Sequence, residues 1–159
     1  MRSPAAVLLA ALFLLMPAAC RTAPAIPEPT PVCVPSPTAI DEASGYPEIE
    51  FPASEGTLWA LLQAPGGEFH AGAPARILWK MTNGRGDIRL TAIHESGART
   101  GAIYGPISRE YRSQWRHEGQ EWGSAFIFPL PGCWRLLASR WLIKSDIPVT
   151  GQIEIQVSP

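Results

Sequence analysis

Apolar and polar residues alternate without a break along one segment near the end of the chain, from Gln152 to Val157. This period of two is the pattern of a β-strand that packs one face against a core and turns the other toward solvent. The same period recurs in residues 77–81 and 88–92. An amphipathic helix would instead need apolar residues three and four positions apart. The alternation therefore predicts that these segments are strands of an all-β domain.

Further strand candidates and regularly spaced turn signals complete the pattern. The other candidates are residues 57–63, 112–117, 124–128 and 133–140. Turn signals separate the candidates at Pro65-Gly66-Gly67, Asn83-Gly84, Ser96-Gly97, Gly105-Pro106, residues 129–132 and Thr150-Gly151. A helix is an alternative only for residues 57–63, and the glycine turn that follows them favours a strand. Strands at this spacing predict an immunoglobulin-like antiparallel β-sandwich of about seven to eight strands.

Residues 128–134 predict how the chain passes between the two sheets. Pro129 and Pro131 cannot continue a hydrogen-bonded ladder, and Gly132 permits a tight corner. A new strand then begins at Cys133, with Trp134 on its opposite face. The alternation as a whole predicts a buried core that contains Ile77, Trp79, Leu90, Trp134, Leu136, Ile153 and Ile155.

The N-terminal segment predicts export from the cytoplasm. Residues 5–16 form an unbroken apolar run, but a membrane-spanning helix needs about 20 such residues. We therefore expect residues 1–19 to be a signal peptide. The following Ala18-Ala19-Cys20 resembles the lipobox of bacterial lipoproteins, in which the cysteine is acylated, although Pro17 departs from the aliphatic residue that is usual there. A plain secretory signal, cut after Ala25, is the alternative.

The segment that follows the signal peptide predicts a tether. Residues 21–47 contain seven prolines, and such a chain forms an extended, semi-rigid spacer rather than a helix or a ladder. A disordered tail without a role would have the same composition. We expect residues 20–47 to be a lipidated cysteine with a proline-rich tether, and residues 48–159 to be the folded domain. The protein would be membrane-anchored in the cell envelope and would face the periplasm or the cell surface.

The cysteines predict one disulfide. Of the three cysteines in the chain, Cys20 is either lipidated or removed with the signal, which leaves Cys33 and Cys133. Disulfides persist in the oxidising compartments outside the cytoplasm. We therefore predict a Cys33–Cys133 disulfide. Two free thiols, or a metal site shared with a histidine, are the alternatives.

Charge and motifs exclude several classes of function. The formal net charge is −1 and the basic residues form no stripe, so we expect no nucleic-acid partner. Because the sequence has neither a Gly-x-Ser-x-Gly elbow nor a phosphate-binding glycine loop, we expect no cofactor and no enzymatic activity. We predict a binding or accessory module. The alternatives are a metal-handling protein that uses His70, His94 or His117, and an enzyme of unfamiliar type.

Residues 109–122 predict the candidate binding site. The segment is rich in aromatic residues and arginine, which are enriched in binding hot spots. The residues expected to contact a partner are Arg112, Trp115, Arg116 and Trp122. Besides the membrane itself, the partner would be an envelope protein or a glycan. Alternatively, Trp115 and Trp122 close the bottom of a small core.

A wider resemblance extends over most of residues 57–157. It is carried by Leu58-Trp59-Ala60-Leu61, residues 77–82, Tyr104-Gly105-Pro106, Ser113, Trp115, Glu121-Trp122-Gly123, Phe128-Pro129 and Gly132-Cys133-Trp134. This set resembles a group of exported bacterial proteins that carry an immunoglobulin-like domain and have no assigned activity. The resemblance implies the fold and the compartment, and it implies nothing about activity. Tyr104 departs from the tryptophan that we expect at its position.

Overall fold

A computed structural model describes residues 34–83, 86–109, 115–142 and 145–159. The strands are β1 (Ala39–Ile40), β2 (Pro47–Pro52), β3 (Thr57–Leu62), β4 (Phe69–His70), β5 (Pro74–Met81), β6 (Ile88–His94), β7 (Arg99–Gly101), β8 (Tyr104–Arg109), β9 (Gln120–Ile127), β10 (Gly132–Leu142) and β11 (Ser145–Ser158). The only helix within these ranges is a short 3-10 turn, Pro65–Gly67. None of the described residues belongs to a helix suited to crossing a membrane. The predicted all-β class is confirmed.

The strands form two sheets that pack face to face as a sandwich. One sheet has six strands in the order β1-β2-β3-β5-β9-β8, and the other has five in the order β4-β11-β10-β6-β7. Every pairing is antiparallel except that of β4 with β11. The prediction of seven to eight strands was too low for the described chain, which has eleven. Strands β1, β4 and β7 are only two or three residues long, too short to show a period in the sequence.

The core lies between the two sheets and contains every residue that the alternation predicted. Ile77, Trp79, Leu90, Trp134, Leu136, Ile153 and Ile155 are all buried in one cluster. Trp79 lies at its centre, where the indole Nε1 donates a hydrogen bond to Ser124 Oγ over 2.8 Å. This bond satisfies the one polar atom of the indole and removes the cost of burying it. The predicted strand parity is therefore right in both sheets.

The predicted corner is also confirmed. Strand β9 ends in the six-stranded sheet and β10 begins in the five-stranded sheet, so the chain changes sheets at the two prolines. Gly132 opens β10 with a φ of +121°, a value that a side chain disfavours. The indole Nε1 of Trp134 donates a hydrogen bond to Leu130 O over 2.9 Å. This bond ties the new strand to the corner that precedes it.

The ordered domain begins before residue 48, where the sequence placed its boundary. Strand β1 pairs with β2, and Ser36 N donates a hydrogen bond to Glu154 O over 2.9 Å. Residues 34–47, assigned to the tether, are therefore attached to the domain. The sequence does not show this attachment, because it consists of isolated hydrogen bonds and a two-residue strand in a proline-rich segment and has no periodic ladder. The predicted signal peptide, Cys20 and Cys33 lie outside the described residues.

The predicted strand over residues 112–117 is absent from the part of it that the structure describes. Residues 115–117 do not form a strand, and β9 begins only at Gln120; residues 112–114 lie outside the described chain. The Nζ atom of Lys80 donates a hydrogen bond to Trp115 O over 2.7 Å. The carbonyl oxygen of Trp115 thus accepts a hydrogen bond from a side chain of β5 and takes no part in a sheet ladder.

Candidate functional site

The outer face of the six-stranded sheet, which points away from the other sheet, is partly covered by apolar side chains. Trp59, Leu61, Leu78 and Trp115 form a second buried cluster here, separate from the main core. We call this the outer cluster. Alternation alone would leave such positions exposed, since the neighbouring residues of β3 and β5 face the core. The segment that contains Trp115 covers this half of the face.

Polar contacts fix the covering segment to the sheet. Trp115 is 3% exposed, and its indole Nε1 donates a hydrogen bond to Glu48 Oε2 over 2.7 Å. His117 places its Nε2 atom 2.9 Å from the same oxygen. The imidazole of His117 also stacks on the ring of Trp59, with centroids 4.6 Å apart. One carboxylate of β2 therefore holds both side chains of the segment.

A buried group of charges borders the outer cluster. Lys80 Nζ lies 3.6 Å from Glu121 Oε2, and the two side chains are 6% and 3% exposed. Arg109 NH1 lies 3.5 Å from Glu121 Oε1, and the Arg109 side chain is half exposed. The carboxylate thus faces one buried and one accessible cation. Because an unpaired charge is costly to bury, these groups depend on one another.

Trp122 lies on the opposite face of the sheet from Trp115. It is 1% exposed in the main core, and its ring lies 4.3 Å from the guanidinium carbon of Arg140. The Arg140 side chain is also fully buried, and its NH2 donates a hydrogen bond to Gln120 Oε1 over 2.6 Å. Burial lowers the pKa of Arg140. Trp122 therefore packs in the core, where its ring stabilises the buried guanidinium of Arg140.

Of the four residues predicted to bind a partner, the two tryptophans do not share one surface. Trp115 and Trp122 are both buried, and they lie on opposite faces of the sheet. This corrects the prediction that their rings supply apolar contact to a partner. Arg116 is exposed, and Arg112 lies outside the described residues. Alternation in the sequence could not assign the two tryptophans to opposite faces of the sheet, because only Trp122 lies within a strand.

The other half of the same outer face is an open groove. Its volume is about 650 Å³, and it follows strand β9 between the side chains of β5 and β8. We call it the β9 groove and define it by Arg76, Leu78, Tyr104, Ile107, Arg109, Gly123 and Ala125. Gly123 and Ala125 form its floor, since they are the outward residues of β9. The outer cluster and the buried charges close one end.

Large apolar side chains are exposed along the β8 side of the groove. Ile103, Tyr104 and Ile107 are 57%, 60% and 48% exposed. They are three of the seven exposed large hydrophobic residues in the described ranges, and they follow one another within five positions. Isolated exposed apolar residues are common on protein surfaces, whereas a contiguous group marks an interaction site.

Gly123 leaves the floor of the groove without a side chain although the backbone does not require glycine. A Cβ atom there would lie 3.6 Å from Leu78 Cδ2 and 3.8 Å from Arg109 Cδ, with no left-handed φ to prevent it. Glycine inside a strand reduces stability, and it often marks a place where a ligand or another backbone approaches closely. The sequence contained this signal in Glu121-Trp122-Gly123, but gave no sign that the position faces a groove.

The charge of the groove is positive. Arg76 is exposed, and no ion pair involving it occurs within the described residues. Arg109 shares Glu121 with Lys80. No carboxylate is among the side chains that line the groove. An anionic group of a ligand would therefore meet an unpaired guanidinium at Arg76.

The three histidines lie in different places and each has a local partner. His70 is on the edge strand β4, three strands away from His94 on β6. His94 Nδ1 lies 2.7 Å from Ser96 Oγ, whereas His117 contacts the outer cluster on the other sheet. Across the described residues, no three His, Cys, Asp or Glu side chains are grouped so that they could hold a metal ion.

No protein-family model matches the chain, and no curated protein or solved structure shows significant similarity to it. The resemblance noted in the sequence therefore remains a prediction. Function has to be inferred from the chemistry of the molecule's own surface, on which the β9 groove is the most developed candidate site.

Proposed function

We propose that this chain is a binding module of the bacterial cell envelope, anchored to a membrane through Cys20, and that the β9 groove is its binding surface. One observation carries the proposal: contiguous exposed apolar side chains border an open groove whose floor is glycine and alanine. Its volume of about 650 Å³ is within the usual range of ligand sites, about 300–1,000 Å³.

The chemistry of the groove favours binding over catalysis. The titratable side chains that line it are Arg76, Arg109 and Tyr104. Within residues 34–83, 86–109, 115–142 and 145–159, neither a histidine nor a carboxylate lines the groove, so this part of the chain brings none of the usual general acids and bases to it. Ser124 is the one serine or threonine among the described lining residues, and its Oγ accepts a hydrogen bond from Trp79 within the core. These residues suit recognition of a ligand.

The place where the tether joins the domain fits an anchored module. The backbone N of Val34 donates a hydrogen bond to Glu154 Oε2 over 3.3 Å, and Glu154 is an outward residue of β11 in the five-stranded sheet. The β9 groove lies on the outer face of the other sheet. A membrane tether attached on one side of the sandwich would thus leave the groove open on the opposite side.

The same contacts support the predicted Cys33–Cys133 disulfide. Glu154 Oε1 accepts a hydrogen bond from Arg135 Nε over 3.0 Å, and Arg135 shares its face of β10 with Cys133, two residues earlier. Val34, which follows Cys33 in the chain, contacts the same glutamate. A bond between the two cysteines would fix the tether to the five-stranded sheet and keep it away from the groove.

Site-specific photo-crosslinking in cells tests the proposal. A photoreactive phenylalanine analogue placed at Tyr104 is expected to capture an envelope component. The matched control is the same analogue at Trp141, an aromatic residue of the other sheet that is 48% exposed. Equal products from both positions, or no product from either, would show that the groove is not the binding surface.

A further inference from the structure

We propose that the β9 groove binds an extended peptide segment of a partner protein in which an apolar residue and an acidic residue are separated by one position. The inference rests on the proposed function, since it takes the groove as the binding surface, and it adds the chemistry of the occupant. Its basis is the register of the three strands that form the groove.

We call each set of residues paired across β5, β9 and β8 a rung, and the first rung of the groove is apolar. Gly123 on β9 is paired with Leu78 on β5 and with Ile107 on β8. Directly paired residues of antiparallel strands project from the same face of the sheet. Two aliphatic side chains therefore flank a position without a side chain. An apolar side chain of a ligand would lie over Gly123 and contact both Leu78 and Ile107.

The second rung is polar and cationic. Ala125 is paired with Arg76 on β5 and with Tyr104 on β8. The guanidinium of Arg76 has no ion-pair partner in the described part of the chain, and the phenol of Tyr104 is a hydrogen-bond donor. Guanidinium and phenol groups together suit a carboxylate, which accepts hydrogen bonds from both.

The spacing of the rungs selects an extended peptide. Residues two apart on β9 and on β5 are separated by about 6.6 Å, because each residue rises about 3.3 Å, whereas on β8 a bulge lies between Tyr104 and Ile107. Alternate side chains of an extended ligand recur at the same distance. A peptide parallel to β9 would thus place one side chain on the apolar rung and the next but one on the cationic rung. Beyond Gly123, the next paired residues are Lys80, Glu121 and Arg109, of which Lys80 and Glu121 are buried and Arg109 is half exposed.

Other occupants fit less well. Among the described residues, Tyr104 is the only aromatic residue that lines the groove, and a sugar-binding surface usually needs broader aromatic stacking. An acyl chain would gain nothing from Arg76 and would meet the charged rung at the closed end. A peptide would contact the apolar rung and the cationic rung at once, and the absence of a side chain at Gly123 would let it approach the sheet closely.

Selection from a library of random heptapeptides displayed on phage tests the inference. The bait is the full chain, purified in detergent with its anchor. We expect enriched peptides to contain an apolar residue and an Asp or Glu two positions away. A synthetic peptide of that sequence should bind, and its amide analogue, with Asn or Gln in place of the acid, should bind about tenfold more weakly, since a charge-assisted hydrogen bond is lost.

Two pairs of variants locate the peptide. Gly123→Val fills the floor and should weaken binding of the synthetic peptide at least about tenfold. Its control, Gly101→Val, changes a glycine of β7 in the other sheet that has open space around it. Arg76→Gln should weaken binding of the acidic peptide but not of its amide analogue. Arg99→Gln removes the same charge from β7 as its control. If Gly123→Val fails to fold, Ile107→Asp replaces it, because Ile107 is half exposed and its charge would repel the peptide.

The outcomes separate the inference from the proposed function. Enriched peptides that lack an acidic residue, but lose binding in Gly123→Val, would overturn the inference and leave the groove as a binding surface. Peptides that bind Gly123→Val as well as the parent would overturn both. Failure to enrich any peptide also overturns the inference. In that case, binding of phosphatidylglycerol vesicles or of a glycan array that depends on Gly123 would retain the groove with another occupant.

Discussion

Replacing Glu121 with glutamine tests the buried charges at the closed end of the β9 groove. Glu121 is 3% exposed and lies between Lys80 and Arg109. The substitution preserves the shape of the side chain and removes its charge. Lys80 would then be a buried cation whose remaining polar contact is Trp115 O, 2.7 Å from its Nζ atom.

The expected loss of stability follows from these contacts. Removing one partner of a buried ion pair costs about 3–5 kcal/mol, because the other charge is left uncompensated. We expect the lower end of this range, about 3 kcal/mol. Lys80 keeps its hydrogen bond to Trp115 O, and Arg109 is half exposed and returns to water. For a domain of this size, the loss corresponds to a fall of roughly 10–15 °C in the melting temperature.

Thermal and urea unfolding, followed by circular dichroism, measure the effect. Glu118→Gln is the matched control, since Glu118 is exposed in the segment before β9 and its loss should leave the melting temperature within about 2 °C of the parent. Lys80→Met combined with Glu121→Leu should recover more than half of the loss, because an apolar pair replaces both charges. A Glu121→Gln domain as stable as the parent would refute the buried ion pair.

Three further predictions concern the anchor, the disulfide and the core. Cys20→Ala should release the protein from the membrane fraction or leave it unprocessed, as judged by fractionation and immunoblotting; a variant that is processed to the mature length and still associates with the membrane would contradict lipidation. Intact-mass analysis after alkylation without reductant should find no modified thiol at Cys33 or Cys133, and two labelled thiols would exclude the disulfide. Trp134→Ala should lower the free energy of unfolding by about 3–5 kcal/mol, because it removes a fully buried indole; an unchanged urea midpoint would show that the assigned strand parity is wrong.

The outer face of the six-stranded sheet combines a covered half and an open half, and the two are physically linked. Arg109 lines the groove and also lies 3.5 Å from Glu121. Leu78 belongs to the outer cluster and also flanks Gly123. Glu121 therefore joins the two halves, since it pairs with Lys80, which donates to Trp115 O, and with Arg109, which lines the groove.

Much of the core was predictable because period-two alternation is local. The strict alternation of residues 152–157 predicted the inward face of β11, and the proline and glycine corner predicted where β10 begins. Burial confirms Trp134, Leu136, Ile153 and Ile155. Each of these predictions needs only the few residues on either side, since neighbouring positions on a strand point in opposite directions.

Attachments made by single hydrogen bonds were not predictable. Residues 34–40 contain two prolines and show no period, yet Ser36 bonds to Glu154, far away in sequence. Strand β8 is predicted only as a turn at Gly105-Pro106, because a bulge separates its apolar residues Tyr104 and Ile107 and breaks the period of two. In both cases, the stabilising partner belongs to another part of the chain.

The sequence by itself determined the all-β class, the parity of the long strands and the identity of the main core. Some aromatic residues do not belong to an alternating segment, and only the tertiary structure decided which side of the sheet they occupy. Trp115 covers the outer face, whereas Trp122 faces the core. The β9 groove likewise depends on the register that aligns Leu78, Gly123 and Ile107 across three strands. Register is a relation between distant segments, and no local pattern of residues contains it.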